Sequence, residues 1–265
     1  MLRFPPLRQA LIRKRQLIQT PKMANRILKD IRFCESEKQN IDGQSMPSEL
    51  GKLFIPTEDT NYIGQRIARK LNELQYSYGE FDHIYINLTT FLKENEVIVS
   101  KRNIDKRIKY LDYGIRPENI QALSDNEKNS FIKAATFKLL KQISTDPHLE
   151  LVKQTEKLIA EFDTEIKINY KTKETGNYKV DISYQINPIG SSTGAIVEYL
   201  DKKDNLKYQG YIQLQFYEDI YPLVNTITVK DNFLVFNPKK SFRADLYNNR
   251  YKTPIKLNIA GLDRL

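Results

Sequence analysis

The chain has 265 residues, 40% of them hydrophobic, with 16 Tyr, 12 Phe, one Cys and a net charge of +9. That is enough apolar material for a buried core in one large domain or two small ones, and it excludes a disordered chain. A lone cysteine excludes an intramolecular disulfide and reads as a reducing compartment, and no apolar run approaches the roughly 18 residues of a membrane span.

The basic charge is concentrated at one end. Residues 1–29 carry Arg3, Arg8, Arg13, Lys14, Arg15, Lys22, Arg26 and Lys29 and no acid, which leaves the rest of the chain at +1. Nucleic-acid binders carry their basic face on the folded body, so this distribution weighs against that class. Residues 1–22 are expected to be a disordered basic leader, with Pro5-Pro6 and Pro21 around an acid-free run. A transit or membrane-surface segment is the other reading, and a secretory signal is not expected without an apolar h-region. Translation beginning at Met23 is the plainer alternative to both.

Residues 23–162 are expected to form a mixed, helix-rich part. Ile27 to Phe33 predicts a first strand and Leu50 to Ile55 a short edge strand. Ile63, Ile67, Leu71 and Leu74 then fall on one helical face, and Gly79 ends that unit. Ile84 to Leu88 predicts a strand, and residues 97–100 another. The segment 101–111 fits a helix through Ile104, Ile108 and Leu111, while Ile108 to Ile115 fits a strand. Ser124 followed by Glu127 is a capping box, opening a helix whose apolar face holds Ile132, Ala135, Leu139 and Ile143. Pro147 restarts a helix that carries Leu149, Val152, Ile159 and Phe162.

Beyond Asp163 the period drops to two. Ile166, Ile168 and Tyr170 predict one strand, and Tyr178 to Ile186 the next, joined by Thr175-Gly176-Asn177. A third strand is expected near Ala195 to Leu200, and a fourth through Ile212, Leu214 and Phe216. Val224 to Lys230 and Phe233 to Phe236 form a hairpin about Asp231-Asn232, and the tail after Pro238 reads as irregular. The expected class is α+β: a helical N-terminal half packed on a largely antiparallel C-terminal sheet over 163–265, with the two parts either separate or continuous.

Few residues carry chemistry. The two histidines, His83 and His148, sit in different kinds of element, and a metal site would need both to converge with a carboxylate. Cys34 has no histidine or second cysteine near it in sequence, so a nucleophilic thiol is not expected. Gly190-Ser191-Ser192-Thr193-Gly194 lacks the lysine of a phosphate loop and leads into a strand, so it reads as a connection. Glu165 and Lys167 share a strand face. With Asp146 or Asp163 upstream they match the carboxylate–lysine pattern of metal-dependent nucleases, and the plainer reading is a charged edge strand. Arg102, Lys106, Arg107 and Lys109 beside Tyr110 and Tyr113 resemble a single-strand nucleic-acid surface, but Asp105 and Asp112 interrupt it and a salt-bridged solvent face is the plainer reading. No catalytic residue, metal ligand set or cofactor is expected.

Tyr85-Ile86-Asn87-Leu88-Thr89, then Tyr110 to Pro117 with Asp112-Tyr113-Gly114-Ile115, then Leu123-Ser124 with Glu127-Lys128, resemble bacterial immunity proteins that neutralise secreted polymorphic toxins. The resemblance spans about residues 81–143. It implies a cytoplasmic, non-enzymatic α+β protein that binds a toxin domain and covers its active site, and this chain's lack of acidity does not favour a nuclease target. Binding by shape needs aromatic and arginine anchors. Tyr110, Tyr113 and Arg116, with Asp112 as a charged contact, are the expected partner-binding patch, against the plainer reading that both tyrosines pack the core.

Overall fold

The computed structural model describes residues 25–188, 191 and 193–265. The basic leader and part of the Gly190–Gly194 segment lie outside them. The first sheet is built from β1 (Asp30–Ser36), β2 (His83–Thr89), β3 (Val97–Val99) and β4 (Ile108–Gly114) in the order β1-β2-β4-β3. β1, β2 and β4 run parallel, and only β3 is antiparallel, against β4. Between β1 and β2 the chain crosses over through α1 (Thr60–Glu73). After β4 come α2 (Pro117–Gln121), α3 (Asp125–Ile143) and α4 (His148–Phe162).

Because side chains alternate across a strand, the register sorts this sheet into two faces. The rows Ile31–Ile84, Phe33–Ile86–Leu111 and Leu88–Tyr113 point one way. They meet Ile63, Ile67 and Leu71 of α1, Ile132, Ala135 and Leu139 of α3, and Val152 and Ile159 of α4 in one buried cluster. The helix must come close to do this: a Cβ on Gly64 would stand 2.5 Å from the Ile31 carbonyl oxygen, so only glycine fits there. α3 starts at the expected cap, where the Glu127 carboxylate accepts from the Ser124 N–H at 2.8 Å and from its hydroxyl at 2.6 Å.

The second half is antiparallel. β5 (Ile168–Glu174), β6 (Tyr178–Tyr184), β7 (Thr193–Asp201) and β8 (Leu206–Leu214) follow in chain order. Then come α5 (Ile220–Leu223), β9 (Thr226–Lys230), β10 (Phe233–Asn237), α6 (Phe242–Asn248), β11 (Ile255–Asn258) and β12 (Asp263–Arg264). They make a five-stranded sheet, β12-β8-β7-β6-β5, and a three-stranded one, β11-β10-β9. Val180, Ile182, Tyr184, Val197, Ile212 and Leu214 pack against Ile220, Leu223, Ile227, Leu234 and Phe236. Asp231 and Asn232 close the β9–β10 hairpin with φ of 49° and 62°, the double left-handed turn that short polar residues tolerate.

Three expectations are corrected. The α+β class stands, but there is no helical N-terminal half: sheets dominate, with twelve strands and six α-helices among the described residues, and a four-stranded mixed sheet lies before residue 115. Leu50 to Ile55 is not an edge strand. It turns around the buried Glu35 carboxylate, which accepts the N–H groups of Gly51, Lys52, Leu53 and Phe54 at 2.7–3.3 Å. The tail is not irregular, since it supplies α6, β11 and β12.

Candidate functional site

The second face of the first sheet is polar. Cys34, Asn87 and Asp112 form one row across β1, β2 and β4, with Ser36 and Thr89 in the next. Asp112 accepts from Asn87 Nδ2 at 2.7 Å and from Arg102 Nη1 at 3.0 Å. Arg102 also reaches Ser100 at 3.2 Å, Ser36 at 3.2 Å and the Ser45 carbonyl at 3.0 Å. Asp112 and Arg102 are 3% and 6% exposed, so this is an internal ion pair under the chain that follows β1. Burial, with Asp112 and Glu35 adding to it against Arg102, pushes the Cys34 thiol up to about 12. A thiol so held is neutral and poorly nucleophilic.

The expected patch does not come together on the surface. Tyr110, Asp112 and Tyr113 are 0%, 3% and 4% exposed. Alternation puts Tyr110 and Asp112 on the polar face and Tyr113 on the helical face, edge-on to Phe131 at 5.9 Å. Arg116 is half-buried, donating to the Leu92 and Ile115 carbonyls at 2.9 and 2.8 Å. The nuclease-like group is also dispersed. Lys167 pairs with Glu198 at 3.1 Å, Glu165 accepts from Gln185 at 3.1 Å, and Asp163 pairs with Lys133 at 2.9 Å, while Asp146 is exposed. His83 Nδ1 is bound to Asp82 at 2.7 Å, and His148 accepts from the Ser77 N–H at 3.5 Å. Among the described residues no three His, Cys, Asp or Glu gather in a way that could hold a metal ion. Of the basic run, Arg107 pairs with Asp105 at 3.5 Å and Lys109 lies over the Phe81 ring at 4.9 Å.

What the fold does assemble is a groove where the two halves meet along α1. This helix turns its apolar side to the first sheet and its polar side to the second half. Arg66, 1% exposed, donates to Asp59 at 2.8 Å, to the Ile186 carbonyl at 3.0 Å and to Asp163 at 3.4 Å. One turn on, Lys70 reaches the Lys167 carbonyl at 3.0 Å and Glu73 accepts the Asn169 N–H at 2.8 Å. Arg69 lies over the Tyr221 ring at 5.4 Å.

Asn61 and Gln65 line hollows on both sides of α1. The first, about 530 Å³, is walled by Arg32, Cys34, Met46 and Tyr85. The second, about 610 Å³, is walled by Asn187, Phe216, Tyr217 and Glu218. Glu218 leads into a third, about 400 Å³, between α5 and α6. Arg32 packs over Tyr85 at 5.8 Å, and Arg250 over Phe216 at 5.4 Å. Burial first, then Glu218, raises the Tyr217 hydroxyl well above the usual tyrosine range, so it stays a neutral donor. Nothing in the sequence marked Arg32, Gln65, Tyr85 and Phe216 as neighbours of one site, since they lie in β1, in α1, in β2 and just after β8. A further hollow of about 560 Å³ lies near the start of β2, lined by Ser77, Tyr78, Phe81, Ser144 and His148.

No helix among the described residues is long and apolar enough to cross a membrane. Comparison with protein-family models, with curated proteins and with solved structures returns no match.

Proposed function

We propose that this chain is a cytoplasmic immunity protein that neutralises a bacterial toxin by binding it, and that the groove along α1 is the surface that meets the toxin. One observation carries the reading: two hollows share Asn61 and Gln65 as a common wall, one edged by Arg32 and Tyr85 and the other by Phe216 and Tyr217. Aromatic and arginine side chains at a concave, rigid surface are what concentrates binding energy in protein interfaces. Rigidity comes from Arg66, which ties α1 and Asp59 at its start to the Ile186 carbonyl of the second half. Blocking a toxin by occupancy asks for that surface and for no reacting group.

The test is co-expression with the product of the neighbouring gene. The chain should restore growth and co-purify with that product. Phe216→Ala together with Arg32→Glu should weaken the complex by about 2 kcal/mol or more while leaving the melting temperature near that of the parent. Failure to rescue or to co-purify would contradict the reading. So would magnesium-dependent cleavage of nucleic acid by the purified chain that disappears in Glu165→Ala and Lys167→Ala.

A further inference from the structure

The C-terminal end of the groove carries an apolar face that nothing among the described residues covers. α6 turns Ala244 and Asn248 inward, at 5% exposure each, so Phe242 and Leu246 stand on its outer side at 83% and 60%. Tyr247 and Phe216 extend the patch at 39% and 45%. Arg250 joins them, stacked over the two rings at 5.3 and 5.4 Å. Single exposed apolar residues are ordinary, but a run of this kind marks a contact surface.

Its border is cationic. Lys239, Lys240, Arg243 and Lys252 are all exposed and, among the described residues, none forms an ion pair. Some surface lysines elsewhere find carboxylates, as Lys202 does with Glu174 at 2.7 Å and Lys141 with Glu156 at 2.6 Å. Burial first and then Lys239 pull the Lys171 ammonium below the usual lysine range. Beside the patch lies the hollow between α5 and α6, about 400 Å³, lined by Glu218, Tyr221, Pro222, Lys239, Arg243 and Tyr247, two cations to one acid.

We propose that α6 and the segment 239–252 dock an acidic amphipathic element of the protein partner, whose apolar side chains seat on Phe242 and Leu246 and whose carboxylates pair with Lys239, Lys240, Arg243 and Lys252. This rests on the binding function above and adds the chemistry of the partner at one end of the groove. Charge complementarity selects an acidic surface. The hollow beside the patch, which reaches Lys239, Arg243 and Tyr247, can take a protruding side chain of a protein partner, which a flat anionic bilayer does not supply.

The probe is the partner that co-purifies with the wild-type chain, titrated at 50 and 300 mM salt. Two variants are compared: Phe242→Ser with Leu246→Ser, and Lys239→Glu with Lys240→Glu and Arg243→Glu. All five side chains are exposed, so both variants should melt with the parent. Each should bind at least tenfold more weakly, and the charge reversal should flatten the salt dependence. Wild-type binding with unchanged affinity in both variants would overturn this assignment and leave the binding function intact. If the wild-type chain captures no partner, both readings fall together. Co-sedimentation with phosphatidylcholine–phosphatidylserine vesicles, or retardation of a single-stranded oligonucleotide, that is lost in the variants would overturn it in favour of those ligands.

Discussion

In and beneath the first sheet, polar side chains are held inside: Glu35, Asn87, Asp112 and Arg102 are buried, bound to one another or to backbone N–H groups. In the five-stranded sheet of the second half, the inward side chains are apolar or tyrosine apart from Thr193, and the ion pairs stand outward. Lys167 and Glu198 are 49% and 44% exposed, Lys179 and Asp181 37% and 34%. The same interaction therefore does different things in the two halves. An internal pair fixes one arrangement of the strands and is costly to break singly, whereas an exposed pair is screened and contributes little.

Breaking the internal pair should have the largest effect. Asp112→Ala leaves the Arg102 guanidinium buried without its carboxylate and should cost about 3–5 kcal/mol, read as the shift in urea midpoint. Next comes an apolar deletion in the other half. Ile182, 0% exposed, should cost about 2–5 kcal/mol as Ile182→Ala, from lost burial and the cavity left behind. Glu35→Gln should cost about 1–3 kcal/mol, since a neutral amide cannot accept the same four N–H groups as well.

Acid should separate the halves further. Burial works against the charge of Asp82, but bonds from His83 and Lys29 outweigh it and hold its carboxyl below the usual range. A depressed folded value adds stability that is present above the unfolded value of about 3.9 and lost as pH falls through the folded one. Asp82→Asn should therefore flatten the acid limb of the stability profile below about pH 4, and an unchanged limb would remove Asp82 as its source. The smallest effect should be Lys167→Ala, under about 1 kcal/mol. A loss comparable to that of Asp112→Ala would erase the contrast between the sheets.

The two halves also differed in how far the sequence could be read. β6 and β8 alternate because one side of their sheet is wet, and period two is the signal that this leaves. β2 and β4 are covered on both sides, so their apolar runs do not alternate, and polar Asn87 and Asp112 look like surface when they are interior. Tyr110, Asp112 and Tyr113 look like one patch in sequence, but strand geometry sends them to opposite faces. The turn of 51–54 around Glu35 spans 16 to 19 residues, beyond any local pattern. α6 did leave a trace, because the Ser241 hydroxyl caps it by accepting the Ala244 N–H at 3.2 Å. The groove left none, since Arg32 and Phe216 meet only through the fold.

Hydrogen–deuterium exchange of the chain, free and bound to its co-purified partner, probes the groove as the binding surface. Protection should appear in 30–36, 57–65 and 213–218. Protection confined to the hollow around Ser77 and His148, or none at all, would contradict a function carried by that groove.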